Sequence, residues 1–413
     1  MYHLTRKQLR EDLDQSFVDA SKGKRKKSYV KEYLQHFDEN QEDICDDLWY
    51  HRYKPSRAVC MPVFYPKPRE VYAYHFRDCI VHHLYYNYTQ EPLCHTFIAD
   101  TYSCIPERGT SYGIKRLEEQ IRAESRGYSI PCFVLRTDIV GFFTNICRSR
   151  LLELTTGSIH KMADHRILSR VPTRWCDRLD IEFIDYLSEQ IILSNPMDNC
   201  TIIGTQAEWA PVPPGKRLSN APEDHGLPIG GLPSQMLQNV YMNPYDQWHW
   251  RDKRIRECRY VDDGADISRD RALLEALIPE CAAFLKEKLD LTLHMGKTKI
   301  YDAYKGVPFL GAFLLPGRRY VGNDSLNRMK TKIDYLAENA ARLSPDYLES
   351  ALNSYLGVLG NYKSYNLTCS LMLEEHDFSP YGMFSLDMHK FYAYRNHLLE
   401  NVMTSGEYSV VLN

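Results

Sequence analysis

The sequence predicts a mixed α+β protein in which helices pack on small sheets, and three observations carry that expectation. Residues 271–289 form an amphipathic helical stretch with Leu273, Leu274, Leu277, Ile278, Phe284 and Leu285 on one stripe. Short β-prone runs occur at 60–75, 130–139 and 257–267, the last broken by Asp262-Asp263-Gly264 as a turn. The chain from Ser325 onward reads as mostly helical, a plausible separate domain.

Taken in order, residues 1–50 are polar and charged, with Phe17, Val18, Tyr29, Val30, Tyr33 and Leu34 at helical spacing. Residues 60–75 alternate and hold three prolines, which suggests a hairpin or edge strands with Lys67 and Arg69 at its tip. Helices are expected over 76–88 and 114–124, with a loop between them. Ile130 to Ile139 is apolar and β-prone and ends in a carboxylate, Asp138. Residues 148–193 read as helical. Residues 195–228 are rich in Pro, Gly and Asn, and a loop of that length in a compact domain is usually functional or disordered. A helix over 233–250, the 257–267 strand–turn–strand, the 271–289 helix and a short hairpin over 307–320 complete the series.

Composition is that of an ordinary globular protein, 44% hydrophobic and 25% charged. The net charge of −3 means that any nucleic-acid affinity must come from local clusters, such as Lys22, Lys24, Arg25, Lys26 and Lys27; such a run is usually a solvated loop. The 30 tyrosines suit stacking on bases, and equally suit half-exposed packing. The 12 cysteines show no C-x-x-C pair or regular spacing, so neither a zinc ribbon nor a disulfide framework is indicated. With no apolar signal core and no bilayer-length apolar run, the expectation is a cytoplasmic protein without a membrane partner.

The chemistry is expected where two elements meet. If the strand ending at Asp138 lies beside the hairpin that presents Asp262 and Asp263, three carboxylates gather at one end of a sheet. Carboxylates that close repel one another and call for cations. Hard oxygen ligands suit Mg²⁺, and two such ions roughly 3.5–4 Å apart can serve an in-line phosphoryl displacement. Each piece alone has an ordinary explanation: Asp-Asp-Gly is a good turn signal, and an Asp ending a strand is a common helix cap.

Order and context tip the balance. Asp138-Ile-Val-Gly-Phe-Phe143, Gly226-Leu-Pro-Ile-Gly-Gly-Leu-Pro-Ser-Gln235, Arg259-Tyr-Val-Asp-Asp263 and Phe309-Leu-Gly-Ala312 together resemble four successive motifs of the reverse transcriptases, over roughly residues 15 to 370. The resemblance implies a right-hand polymerase, with an N-terminal extension and fingers over 1–129, a ferredoxin-like palm over 130–322 with 195–228 inserted, and a helical thumb and tail over 323–413. It implies catalysis by Asp138, Asp262 and Asp263, with two Mg²⁺ (Mn²⁺ as a substitute) held by these and Ile139. It assigns Lys67, Arg69, Phe143, Gly230, Gln235 and Lys297 to the nucleotide, and Tyr260, Phe309, Leu310 and Gly311 to primer and template. Phe143 would exclude a ribose 2′-hydroxyl, with Phe142 in the core, and Lys299 competes with Lys297 for the place near pyrophosphate. Arg77-Asp78 matches a family pair and reads as a structural salt bridge.

Ile229-Gly-Gly-Leu-Pro-Ser-Gln235 in place of the commoner Gln-Gly-x-x-x-Ser-Pro resembles diversity-generating retroelement enzymes and related bacterial antiviral reverse transcriptases. Trp209, Pro214-Gly-Lys-Arg-Leu218, Asn353-Ser-Tyr-Leu-Gly357 and Tyr362-Lys-Ser-Tyr365 resemble that branch too. Gly264 departs from it where Phe is usual, as do Gly231-Leu-Pro233 and Arg217. The expected role is antiviral synthesis of cDNA from dNTPs on a structured noncoding RNA, with an accessory protein or a second copy as further partner. The alternatives are mutagenic retrohoming, non-templated or protein-primed DNA synthesis, and a non-catalytic RNA-binding scaffold.

Overall fold

A computed structural model of the chain describes residues 2–65, 67–167, 173–251 and 255–395. The tail from 396 and the middle of the expected 148–193 helix (168–172) lie outside the described residues. The molecule is mixed α+β, as expected, and divides into two compact units: residues 1–117 with 135–300, and residues 118–134 with 301–413.

In the first unit the N-terminal segment is three helices, Arg6–Ser21, Ser28–Gln35 and Phe37–Trp49. Thr5 opens the first with a capping box: its hydroxyl accepts from Gln8 N at 3.3 Å while Gln8 Oε1 accepts from Thr5 N at 3.1 Å. The six apolar residues expected to share a helical face divide evenly. Phe17, Val30 and Tyr33 are buried, whereas Val18, Tyr29 and Leu34 are exposed. The break at the basic turn 22–27 changes the phase of the pattern between helices, so a single period does not span it.

Strands Ala58–Val63 and Arg69–Ala73 form the expected hairpin, with Val63 opposite Arg69. A third strand, Cys200–Ile202, joins it in parallel, so the long 195–228 segment is not a free loop but begins as a sheet edge. Helices Phe76–Cys94 and Thr110–Glu124 are longer than expected. The expected 148–193 helix is two, Arg148–Ala163 and Ile181–Ile192, with the short paired strands Arg166–Ile167 and Thr173–Arg174 between them.

Helix Leu232–Arg251 buries polar as well as apolar side chains, among them Asn239, Asp246 and His249. The Arg271–Leu289 helix has the boundaries expected. Asp270 caps it, accepting from Ala272 N at 2.9 Å and Leu273 N at 3.3 Å, and Leu274, Leu277 and Leu285 are buried. A four-stranded sheet has the order Arg256–Tyr260, Asp263–Ser268, Phe133–Thr137, Lys299–Asp302. The strand that ends next to Asp138 therefore neighbours the strand that begins at Asp263.

Besides residues 118–134, the second unit holds a three-stranded meander, Val307–Phe309, Ala312–Leu315 and Arg318–Val321. Its first turn is Leu310-Gly311, with φ of 48° and 80°; two positive values in a two-residue turn match the right-handed twist of the strands. Helices Asn323–Asn339 and Pro345–Leu359 follow, and a hairpin, Gly382–Phe384 with Phe391–Ala393, interrupts the expected helical run. Asn353 seals that hairpin to its helix, donating to Phe391 O at 2.9 Å and accepting from Phe391 N at 2.7 Å. Their shared core includes Ile333, Leu352, Leu356, Leu371 and Phe391. No described helix is long and apolar enough to cross a membrane.

Candidate active site

The sheet order brings the expected carboxylates together in the first unit. Arg136, on the Phe133–Thr137 strand, donates to Asp263 Oδ1 at 2.8 Å and to Gly264 O at 3.3 Å, which locks the two strands in register. Asp138 follows immediately. Its carbonyl accepts from His294 N at 2.8 Å, and Val140 N donates to Thr292 O at 2.9 Å. The turn after His294 then carries Lys297 back to Asp138, Nζ to Oδ2 at 2.5 Å. Lys297 rather than Lys299 thus faces the carboxylates; Lys299 is exposed on the edge strand.

Gly264, where the resembling branch usually has Phe, has a local cause. A Cβ there would lie 2.2 Å from Thr137 Oγ1, beside the Asp138 corner.

The electrostatics are those of a cation site. Asp138 is paired with Lys297 and Asp263 with Arg136, whereas Asp262 has no ion-pair partner among the described residues. Burial first, then the charges of Asp263 and Asp138, push the Asp262 carboxyl up to about 6. Burial also raises Asp263, opposed by Arg136. Carboxylates crowded this way are the hard oxygen donors that suit Mg²⁺, and a divalent cation offsets the repulsion that the side chains alone leave. The residues present fit the metal. Ile139, the fourth expected ligand, is buried and bridges Leu293.

The hairpin that carries Asp262 is strained. Tyr260 pairs with Asp263 and Arg259 with Gly264, so the turn is Val261-Asp262 and not the expected Asp262-Asp263-Gly264, and Val261 has φ of 60°. A β-branched residue in that region costs of order 1–3 kcal/mol and persists only where its surroundings over-determine it. Arg259 does so here. It is 1% exposed, grips Asp246 through Nε (2.6 Å to Oδ1) and Nη2 (2.5 Å to Oδ2), and donates from Nη1 to Val261 O at 2.7 Å. Thr101 Oγ1 donates to Asp246 at 2.9 Å. Sequence reasoning missed this clamp. An Arg inside a β-prone run beside two acids was the only signal, and its partner lies thirteen residues upstream on another element.

The glycine-rich motif from Gly226 to Gln235 packs on the N-terminal hairpin: Tyr72 N donates to Ile229 O at 2.8 Å. Gly230 has φ of 132°, and a Cβ there would sit 2.0 Å from Tyr72 O, so only glycine allows the approach. Gln235 is exposed on the first turn of the following helix.

Phe142 is 3% exposed and Phe143 half-buried, with ring centroids 5.4 Å apart. Leu227 N donates to Phe143 O at 2.7 Å, which ties the aromatic to the glycine-rich motif. Tyr260 is half-buried, its hydroxyl 3.4 Å from Thr110 Oγ1. Lys67 and Arg69 are exposed on the N-terminal hairpin. Arg77 pairs chiefly with Asp47 (2.5 Å), while Asp78 is buried on Tyr53 and Ser56, so the adjacent pair is structural but not mainly with itself. Phe309, Leu310 and Gly311 lie in the second unit, where the Phe309 side chain is enclosed.

One further group of metal-type donors is buried in the first unit: His249, Asp266 and Cys281. Asp266 lies 3.1 Å from Nδ1 of His249 and Cys281 Sγ 3.5 Å from Nε2. One donor atom from each residue lies within 4.8 Å of the others, and the His249 ring links the acid to the thiol. All twelve cysteines are free.

No protein-family model matches the sequence. The chain is 32% identical over 130 residues to Protein YkfC of Escherichia coli (strain K12), a match covering 24% of this chain and 34% of that protein. Similar solved structures include apo telomerase from Candida Tropicalis (TM-score 0.48, 10% identity, 73% of this chain and 52% of that one). Telomerase from Candida albicans in complex with a TWJ fragment of telomeric RNA is another (TM-score 0.44, 10% identity, 74% and 54%). The chain thus spans about a third of YkfC and about half of the telomerase chains.

Proposed function

We propose that the chain is an RNA-directed DNA polymerase that extends a 3′-hydroxyl with deoxynucleotides. The observation that carries this reading is Asp262: a carboxyl crowded by Asp138 and Asp263, pushed up to about 6, and without a cation partner among the described residues. A scaffold that only binds RNA has no use for such a cluster. Asp138, Asp262 and Asp263 would hold two Mg²⁺, which when bound activate the attacking hydroxyl and neutralise the leaving oxygen.

The chain's own residues supply the rest. Arg259 and Asp246 keep the strained turn in place, and Arg136 orients Asp263. Lys67 and Arg69 would bind the triphosphate, Arg69 through its fixed fork of donors. Lys297, released from Asp138, would protonate the departing pyrophosphate. Phe143, held between Phe142 and Leu227, would fill the space of a ribose 2′-hydroxyl. In this reading residues 1–129 are fingers, 130–322 palm and 323–413 thumb, with the Leu310-Gly311 turn against the primer. The Ile229 to Gln235 motif fits both diversity-generating and antiviral enzymes, and the departures at Gly264, Gly231-Leu-Pro233 and Arg217 tilt the reading to antiviral synthesis on a dedicated noncoding RNA.

The test is primer extension on an RNA template with dNTPs and Mg²⁺, sequencing the product. Template-complementary DNA from the wild type, lost in Asp262→Ala with RNA binding retained, is expected. Extension that persists in Asp262→Ala refutes the proposal. Product unrelated to the RNA points instead to non-templated synthesis.

A further inference from the structure

The segment between Cys200 and Gly226 is long and poor in regular structure, yet its ends and middle are pinned. Trp209 Nε1 donates to Ile203 O at 2.9 Å. Arg217 stacks over the Trp209 ring at 5.5 Å and donates to the carbonyls of Trp209 (2.5 Å) and Val212 (2.8 Å). Leu218 N donates to Glu70 Oε1 at 2.7 Å, and Glu70 is itself buried on the strand that begins at Arg69. At the opposite side, Thr144 Oγ1 donates to Gly215 O at 2.9 Å. Gly141 has φ of 51°, and a Cβ there would lie 3.1 Å from the same Gly215 oxygen. The segment is therefore a fixed strap between the Arg69 strand and the turn that holds Phe143.

Lys216 sits between those two anchors. Its ammonium has no hydrogen-bond or ion-pair partner among the described residues, and neither has Lys67 or Arg69. Lys216 is exposed; partial desolvation lowers its affinity for a proton, as do the nearby charges of Lys67, Lys297 and Arg69, while Asp138 acts in the opposite sense. Four cations thus gather on the rim of the carboxylate site, and only Lys297 has an acidic partner among the described residues. Like charges held together repel, and a polyphosphate among them offsets that repulsion beyond what the neighbouring carboxylates supply.

We propose that Lys216 is a phosphate-binding residue, carried by the strap to contact the triphosphate of the incoming nucleotide opposite Lys67 and Arg69. This rests on the polymerase reading for the nucleotide, though not for the polyphosphate chemistry. The strap is then part of the substrate site, and Glu70, Thr144 and Arg217 are its positioning residues.

The probe is inorganic tripolyphosphate, titrated calorimetrically into the full chain. Wild type, Lys216→Ala, Lys216→Arg and a distant surface control, Lys31→Ala, are compared at matched melting midpoints. Loss of one charge-assisted hydrogen bond should weaken binding by about 10- to 100-fold in Lys216→Ala. Lys216→Arg should restore most of the affinity, and Lys31→Ala should bind as wild type. The same Lys216→Ala variant should raise KM for dNTP more than it lowers kcat. Equal affinity in wild type and Lys216→Ala, or no tripolyphosphate binding by the wild type, overturns the proposal. If tripolyphosphate binding depends on Lys216 but the wild type makes no DNA, the phosphate site stands and the polymerase reading falls.

Discussion

Replacing Asp262 by Asn separates the cost of the carboxylate cluster from its use. Raising a carboxyl from its ordinary 3.8 to about 6 corresponds, at 1.36 kcal/mol per pH unit, to about 3 kcal/mol of native-state penalty when the group is ionised. Asp138 and Asp263 share that repulsion, so the net gain from neutralising one member is about 1–3 kcal/mol. The sign follows from linkage. The folded form holds its proton more tightly than the unfolded chain, so the favourable contribution is complete below about pH 4 and is lost as pH rises through about 6. In metal-free buffer at pH 7.5, Asp262→Asn should therefore melt a few degrees above wild type, and the two should converge near pH 4. Mg²⁺ should raise the wild-type midpoint at pH 7.5, and chelation should reverse it, while the variant responds weakly. Differential scanning calorimetry with and without EDTA measures all four values. A variant less stable than wild type without metal, or a wild type indifferent to both Mg²⁺ and pH between 5 and 7.5, would refute the idea that these carboxylates are crowded for a cation.

Other expectations follow from single contacts. Asp246→Asn leaves the buried Arg259 guanidinium uncompensated and should cost about 3–5 kcal/mol in chemical denaturation; a loss under about 1 kcal/mol, the size of an exposed pair, would remove Arg259 as the clamp on Val261. Gly230→Ala must push the Tyr72 carbonyl away from a Cβ at 2.0 Å and should destabilise by at least about 1–3 kcal/mol, read in the same assay, whereas unchanged stability would mean that this approach is not constrained. On the polymerase reading proposed above, Gln235→Pro replaces a flexible amide at the nucleotide site with a rigid ring and should lower the misincorporation rate seen by sequencing the product; equal error rates sink that reading.

Much of the site was legible in one dimension because its parts are local. The 257–267 hairpin was legible from residue type, although its turn is Val261-Asp262 and not the expected Asp262-Asp263-Gly264; Asp138 ends an apolar β-prone run, and the Arg271–Leu289 helix is written in its period and its Asp270 cap. The glycines at 230 and 311 were visible as motif members, while the reason for each, a backbone oxygen at 2.0 Å in one case and a left-handed turn in the other, was not. The expectation of one long loop over 195–228 was poor because its order comes from partners outside it, Glu70 and Thr144. The phase break at residues 22–27 likewise hid which half of an apolar pattern faces the core.

By itself the sequence determined the residue types, the turns and the periods, all set by interactions within a few residues of each other. Only the tertiary structure decided that Arg259 would find Asp246, that Lys297 rather than Lys299 would reach Asp138, and that Lys216 would join the cations. Those pairings depend on which strand lies beside which and on what a strap is pinned to. Electrostatic energy depends on distance in space, and sequence separation carries almost none of that information.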